Sequence, residues 1–294
     1  MKLNVFSVTL AIIICASMFG GTACSIKGQS DKLIVLLTDF GSADYRVAQL
    51  KGIIYSDYAE ARLIDASQDV PAFDIPTGAF ILKVAAREFP QDTVFVGIVA
   101  PYSQAETRFL VLTTEKNQIF ILPDNGLLTY VVREMGIKTI YQITNQSLFD
   151  EPIGQLAAER IQGKVGALIA SGYLPREVGI PLTNPKTLDI PVSSIADNKL
   201  VGAVVYVDNY GNCVTNITGM DANLFSLALG GNIQLNDGDQ SISAKFGNIY
   251  SDVPRGNEIV FVNNNMGVLQ LSINMGSFAS TYNIKAGTKI EIQK

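Results

Sequence analysis

Leu33-Ile34-Val35-Leu36-Leu37-Thr38-Asp39-Phe40-Gly41 is an apolar run that stops at a polar turn. Five apolar residues in an unbroken row predict a strand buried on both faces, and such strands belong to parallel sheets covered by helices. Val47, Leu50, Ile53 and Ile54 follow at helical spacing. Apolar runs at 93–99, 109–113 and 117–122 predict further buried strands. Residues 127–135 predict a helix, with Asp124 or Asn125 placed to cap it. A last helix is expected over about 155–170, with Ala157, Ile161, Val165 and Leu168 on one face. The reading is an α/β domain with a mostly parallel sheet over residues 32–185.

Pro181, Pro185 and Pro191, with Asn and Ser between them, mark a connector, and residues 186–199 form the expected linker. Beyond it the rhythm changes. Short β-type segments at 201–207, 259–263, 268–273 and 289–292 are separated by Gly, Asn and Asp. They predict a small all-β, barrel-like C-terminal domain over 200–294.

Of 294 residues, 48% are hydrophobic and 17% charged, which is the composition of a folded chain rather than a disordered one. A net charge of −5 leaves no basic footprint, so no nucleic-acid partner is expected. There is no histidine. That removes Ser-His-Asp and Cys-His catalysis, HExxH zinc sites and imidazole bases together, and no metal site is expected.

Residues 1–23 read as an export signal: Lys2, an apolar run over 5–19, then Gly20-Gly21-Thr22-Ala23 before Cys24. The run is too short for a comfortable membrane span. Small residues ahead of Cys24 also resemble a bacterial lipobox, although Gly21 stands where Leu is usual. Cys24 would then be lipidated, with 24–31 as a tether, and the membrane would be met only through that anchor. The protein is expected in the periplasm or on the cell surface; plain secretion is the alternative. Cys15 leaves with the leader and Cys24 is acylated, so Cys213 has no disulfide partner.

In a parallel sheet, ligands bind beyond the carboxyl ends of the strands. Asp39 lies at such an end, where a carboxylate can accept hydrogen bonds from a vicinal diol or else cap the next helix. Pro123-Asp124-Asn125-Gly126 and Asp208-Asn209-Tyr210-Gly211-Asn212 are two further turns of the same sort, each explicable by turn chemistry alone.

Taken in order, Thr38-Asp39-Phe40-Gly41, Lys51-Gly52, Pro123-Asp124-Asn125-Gly126-Leu127-Leu128, and Val207-Asp208-Asn209-Tyr210-Gly211-Asn212 with Thr215-Asn216-Ile217 resemble one family. It is the S-adenosylmethionine (SAM) hydroxide adenosyltransferases, which include the fluorinating and chlorinating enzymes. Asn263-Asn264-Asn265-Met266-Gly267-Val268-Leu269 is similar to that family's late Asn-Ser-x-Gly-x-Leu segment. The resemblance implies a homotrimer with SAM held between one subunit's N-terminal domain and its neighbour's C-terminal domain. It further implies attack on the ribose 5′-carbon by hydroxide or halide, with methionine leaving and no cofactor. Asp39 would hold the ribose diol, and Phe73 would pack beside the nucleoside. Asp208 and Asn212 would contact the methionine part and the base, with Tyr210 in place of a Phe; Asn265 replaces the family Ser.

The chain departs from the pattern at the water-handling positions. The family's Asp-Pro-Gly-Val-Gly stretch with its Arg reads Ala100-Pro101-Tyr102-Ser103-Gln104-Ala105-Glu106-Thr107-Arg108 here. Its Phe-His-Gly-Arg-Asp reads Leu156-Ala157-Ala158-Glu159-Arg160, so the Asp-Arg-His set is not reproduced. Ala158 replaces the Ser that fluorinating members use, which leaves room for a larger halide. The leading expectation is an exported protein that binds an adenosine-type ligand at a subunit interface with its hydrolytic site degenerate. One alternative is an active enzyme that cleaves SAM with an altered set, using Ser103 and Arg108. The other is a scaffold-only surface lipoprotein.

Overall fold

The computed structural model of the chain describes residues 32–102 and 107–294. The leader, the tether, Cys24 and Ser103 lie outside the described residues. The N-terminal domain runs β1 (Leu33–Thr38), α1 (Tyr45–Asp57), β2 (Arg62–Ser67), α2 (Ile75–Glu88), β3 (Val94–Ile98), β4 (Phe109–Thr113) and β5 (Ile119–Pro123). It continues through α3 (Thr129–Met135), β6 (Thr139–Ile143), α4 (Ala158–Ser171) and β7 (Gly179–Pro181). The sheet order is β2-β1-β3-β5-β4-β6-β7, and five of its seven strands point the same way.

The unbroken apolar run in β1 follows from what covers it. Ile34 and Leu36 face Leu50 and Ile54 of α1 and Ile161 and Val165 of α4. Val35 and Leu37 face Ala79 and Leu82 of α2 and Val131 of α3. All four β1 side chains are at most 1% exposed. Each contributes about 1.5–3 kcal/mol by leaving water.

The second domain comprises β8 (Ser194–Ala196), β9 (Lys199–Val207), β10 (Cys213–Thr218), α5 (Gly219–Leu224), β11 (Asn232–Asn236) and β12 (Ser241–Phe246). β13 (Glu258–Asn263), β14 (Val268–Ile273), α6 (Phe278–Tyr282) and β15 (Lys289–Gln293) complete it. The order β9-β10-β14-β13-β12-β11-β15 returns to β9 and closes a seven-stranded barrel. Nine residues long, β9 has length enough to pair with β15, β10 and the short β8. Cys213 is fully buried in the barrel core. Burial, with a smaller push from the Asp208 carboxylate, raises its thiol to about 12, so it packs as an inert apolar residue.

One expected detail is corrected. Neither Asp124 nor Asn125 caps α3; its N-cap is Leu128, with no side-chain cap bond. Asp124 is spent on Arg108, while Asn125 donates to the carbonyls of residues 99 and 100 and accepts from the Leu127 N–H (3.2 Å), ahead of the helix.

Candidate functional site

Asp39 stands at the C-terminal end of β1, half-buried. Its Oδ2 accepts hydrogen bonds from the Phe73 N–H (3.0 Å) and the Ala100 N–H (3.1 Å). Both donors have left-handed backbones, φ +65° at Phe73 and +43° at Ala100. For residues with a Cβ that conformation costs about 1–2 kcal/mol each. One carboxylate oxygen therefore holds two strained turns, one ahead of α2 and one after β3. Such strain persists only where the surroundings over-determine it. The other oxygen, Oδ1, accepts from no described residue, at the strand end beyond which open α/β sheets take ligands. The helix-cap alternative for Asp39 fails, because Asp44 caps α1 through the Arg46 N–H (2.9 Å).

Phe73 is 80% exposed, so its ring gains almost nothing from burial while its backbone bears strain. Phe73→Gly is expected to raise thermal stability by about 0.5–1 kcal/mol, because glycine adopts positive φ freely and only part of the gain is offset by unfolded-chain entropy. A lower melting temperature in calorimetry would contradict this.

Asn125 steadies the Ala100 turn from below. Its Nδ2 donates to the carbonyls of Val99 (2.9 Å) and Ala100 (3.0 Å). Arg108 is not directed at Asp39: its guanidinium pairs with Asp124, whose carboxylate is fully buried. Asp124 also accepts from the Lys186 N–H (2.7 Å), tying the linker to the end of β5. Ala100 and Ala157 bring no polar side chain to the positions that would orient water. Among the described residues, no cluster of carboxylates or thiols could hold a metal ion.

The second group forms in the turn between β9 and β10. Asp208 accepts from the Tyr210 and Asn212 N–H groups through Oδ1 (2.9 Å each) and from Asn212 Nδ2 through Oδ2 (2.7 Å). This carboxylate builds the turn and holds Asn212 with its Oδ1 unpartnered among the described residues. Gly211 is required at the tip: φ is +79°, and a Cβ there would stand 1.9 Å from Ser277 Oγ. Tyr210 (81% exposed) and Asn212 line a cavity of about 570 Å³ with Tyr250, Ile273, Asn274 and Met275. Its volume is in the range of small-molecule sites. The sequence reading did not single out Tyr250 or Met275. The signal available was Asn274-Met275-Gly276, a polar and glycine turn ending β14, where Met275 takes φ +60°.

Asp39, Phe73 and Ala100 come together, and so do Asp208, Tyr210 and Asn212. Among the described residues no hydrogen bond joins the two groups within one chain. Asn265 belongs to neither. Its carbonyl and that of Met266 accept from Arg87 Nη1 (3.3 and 3.1 Å), in the last turn of α2. Phe73 precedes the first turn of the same helix, so a rise of about 20 Å separates the two.

A sheet whose strand ends carry such a carboxylate, followed by a closed barrel with its own cavity, defines a two-domain class, and the chain belongs to the SAM hydroxide adenosyltransferase family. The family's N-terminal domain matches residues 34–179 and its C-terminal domain residues 202–291. A fluorinase of Actinoplanes sp. is 26% identical over 300 residues, covering 92% of this chain and all of that one. An (R)-S-adenosyl-L-methionine hydrolase of Methanocaldococcus jannaschii is 32% identical over 191 residues, 63% of this chain and 66% of that one. The crystal structure of an uncharacterized conserved protein from Thermotoga maritima superimposes with a TM-score of 0.83 at 28% identity, covering 89% of this chain and all of that one.

Proposed function

We propose that the protein binds an adenosine-type ligand, SAM or a relative of it, and does not hydrolyse it. The observation that carries this is Asp39. Its Oδ2 is used to hold the loops of Phe73 and Ala100, which leaves Oδ1 to accept from a ribose diol, with the exposed Phe73 ring beside it. The Tyr210 and Asn212 cavity supplies apolar walls and one unpartnered amide oxygen for the rest of the ligand. No hydrogen bond joins the two groups within one chain among the described residues, so the proposed complete site is shared between two copies, and the homotrimer is taken from the family resemblance. The active-enzyme alternative drew on Arg108, and that guanidinium is already paired with Asp124. Titration calorimetry of the full chain with adenosine and with SAM tests the proposal. Saturable heat is expected, and its absence would leave the scaffold reading alone.

Export belongs to the same proposal: a lipid-anchored protein of a bacterial periplasm or cell surface, resting on the apolar run ahead of Gly21-Thr22-Ala23-Cys24. Mass spectrometry of the natural protein is expected to find an acylated Cys24 as its first residue. Cys24→Ser is expected to move the protein out of the membrane fraction, and a retained Met1 would defeat the idea.

A further inference from the structure

A second cavity, of about 220 Å³, lies where the two domains meet. Helices α2 and α3 form one wall and strands β9, β10 and β14, with linker residues 190–193, the other. Lys83 reaches into it from α2 and is only 7% exposed. Its ammonium sits 4.6 Å from the Phe80 ring centre and 5.5 Å from that of Tyr130, and it makes no ion pair or hydrogen bond among the described residues. Arg133 lines the mouth of the same cavity and has no carboxylate partner among the described residues either. Among the described residues no acid lines the space, and the carboxylate behind its wall, Asp221, accepts from Ser193 and Thr218. The acid whose field reaches Lys83, Glu134, is held by Arg87 through Nε and Nη2.

Buried cations are ordinarily paired or hydrogen-bonded, because two aromatic faces restore only part of the lost hydration. Desolvation, with repulsion from Arg87, accordingly brings the Lys83 amine down to about 8. Phe80 is stacked on Tyr206 of β9 (5.3 Å), so the cavity floor spans both domains. Ile190, Val205 and Val268 make the remaining wall apolar. Two cations at one corner and hydrocarbon around the rest describe the complement of an amphipathic anion.

We propose that this interdomain cavity binds a small organic carboxylate, its oxygens paired with Lys83 and Arg133 and its hydrocarbon part against Phe80, Tyr130, Ile190 and Val268. The site shares no residue with the Asp39 or Tyr210 groups and stands whether or not the protein binds nucleosides. A bound carboxylate stabilises the ammonium and raises the Lys83 pKa, so binding takes up a proton above about pH 8 and weakens as pH rises further. The hydrogen-bonded Glu134 carboxylate holds the Arg87 guanidinium above its ordinary value, and burial holds the Tyr130 phenol above its own.

Benzoate is the probe and inorganic phosphate, which lacks an apolar part, the comparison. Thermal-shift and calorimetric titrations of the full chain are expected to show saturable benzoate binding at least tenfold tighter than phosphate. Lys83→Met is expected to abolish the benzoate shift while keeping or raising the melting temperature, since an unpaired buried charge is removed. Arg133→Gln, at an exposed position that does not endanger folding, is expected to weaken benzoate at least tenfold. Benzoate is also expected to protect Lys83 from acetic anhydride. The proposal is overturned by no saturable benzoate binding to wild type, by phosphate binding as tightly, by an unchanged shift in Arg133→Gln, or by no protection of Lys83.

Discussion

Purified protein incubated with SAM is expected to release adenosine and methionine about 10²–10⁴-fold more slowly than a relative such as the Methanocaldococcus jannaschii hydrolase assayed beside it. That factor is what a positioned general base ordinarily contributes. The chain supplies no substitute at the positions in question. The Ala100 N–H is donated to Asp39, and its side chain is a methyl group. The Arg108 guanidinium is taken by the buried Asp124, so freeing it would strand a buried carboxylate. Ala157 precedes α4 with nothing to accept a proton, and no histidine exists anywhere in the sequence. Chromatographic release of adenosine at the relative's own rate would overturn the degenerate-site reading.

The second large effect concerns Asp39→Asn, expected to weaken adenosine-type binding by about one to two orders of magnitude. The structure makes this a clean substitution. The amide oxygen of Asn can take the place of Oδ2 and still accept from Phe73 and Ala100, so the two strained turns stay held. What changes is the free position, where an acceptor becomes an N–H₂ donor facing the diol and the charge is lost. A charge-assisted hydrogen bond of that kind is worth about 1.5–3 kcal/mol. Calorimetry should therefore show weakened binding with an almost unchanged melting temperature. Asp39→Ala should lower both, because it leaves two amides without their acceptor. Equal affinity in wild type and Asp39→Asn would remove Asp39 from the site.

The strands buried on both faces were legible because their apolar runs need no partner to be recognised: β1, β3, β4 and β5 lie close to where the sequence placed them. Helix α2 was not legible. Its sequence Ile-Pro-Thr-Gly-Ala-Phe-Ile-Leu-Lys-Val-Ala-Ala-Arg-Glu has Pro and Gly in its first turn and little polar face, because it lies between the sheet and the barrel. β2 and β6 were lost for the opposite reason, since polar residues interrupt them and neither has a continuous buried run. β11 and β12 do alternate and are joined by Asp237-Gly238-Asp239-Gln240, a local hairpin signal in the sequence. In the site, Asp39 was visible as a strand-end carboxylate. Its partners, 34 and 61 residues away, are set by tertiary packing and leave no local pattern. The Arg108–Asp124 pair was hidden likewise, because β4 and β5 run antiparallel and bring together residues from opposite ends of a hairpin.

The three-way pairing of β9 also bears on self-association. A sheet is vulnerable to other chains where an outer strand offers unpaired amides and carbonyls, and a barrel closed through β9 has no outer strand along its girth. Among the described strands, the outermost ones left are β2, β7 and β8. β2 carries Arg62 and Asp65, the latter paired with Lys51 at 2.7 Å. β7 is three residues long and ends in Pro181, which has no N–H to donate; β8 is equally short. A molecule blunted in this way can be concentrated without its strands templating β-aggregation.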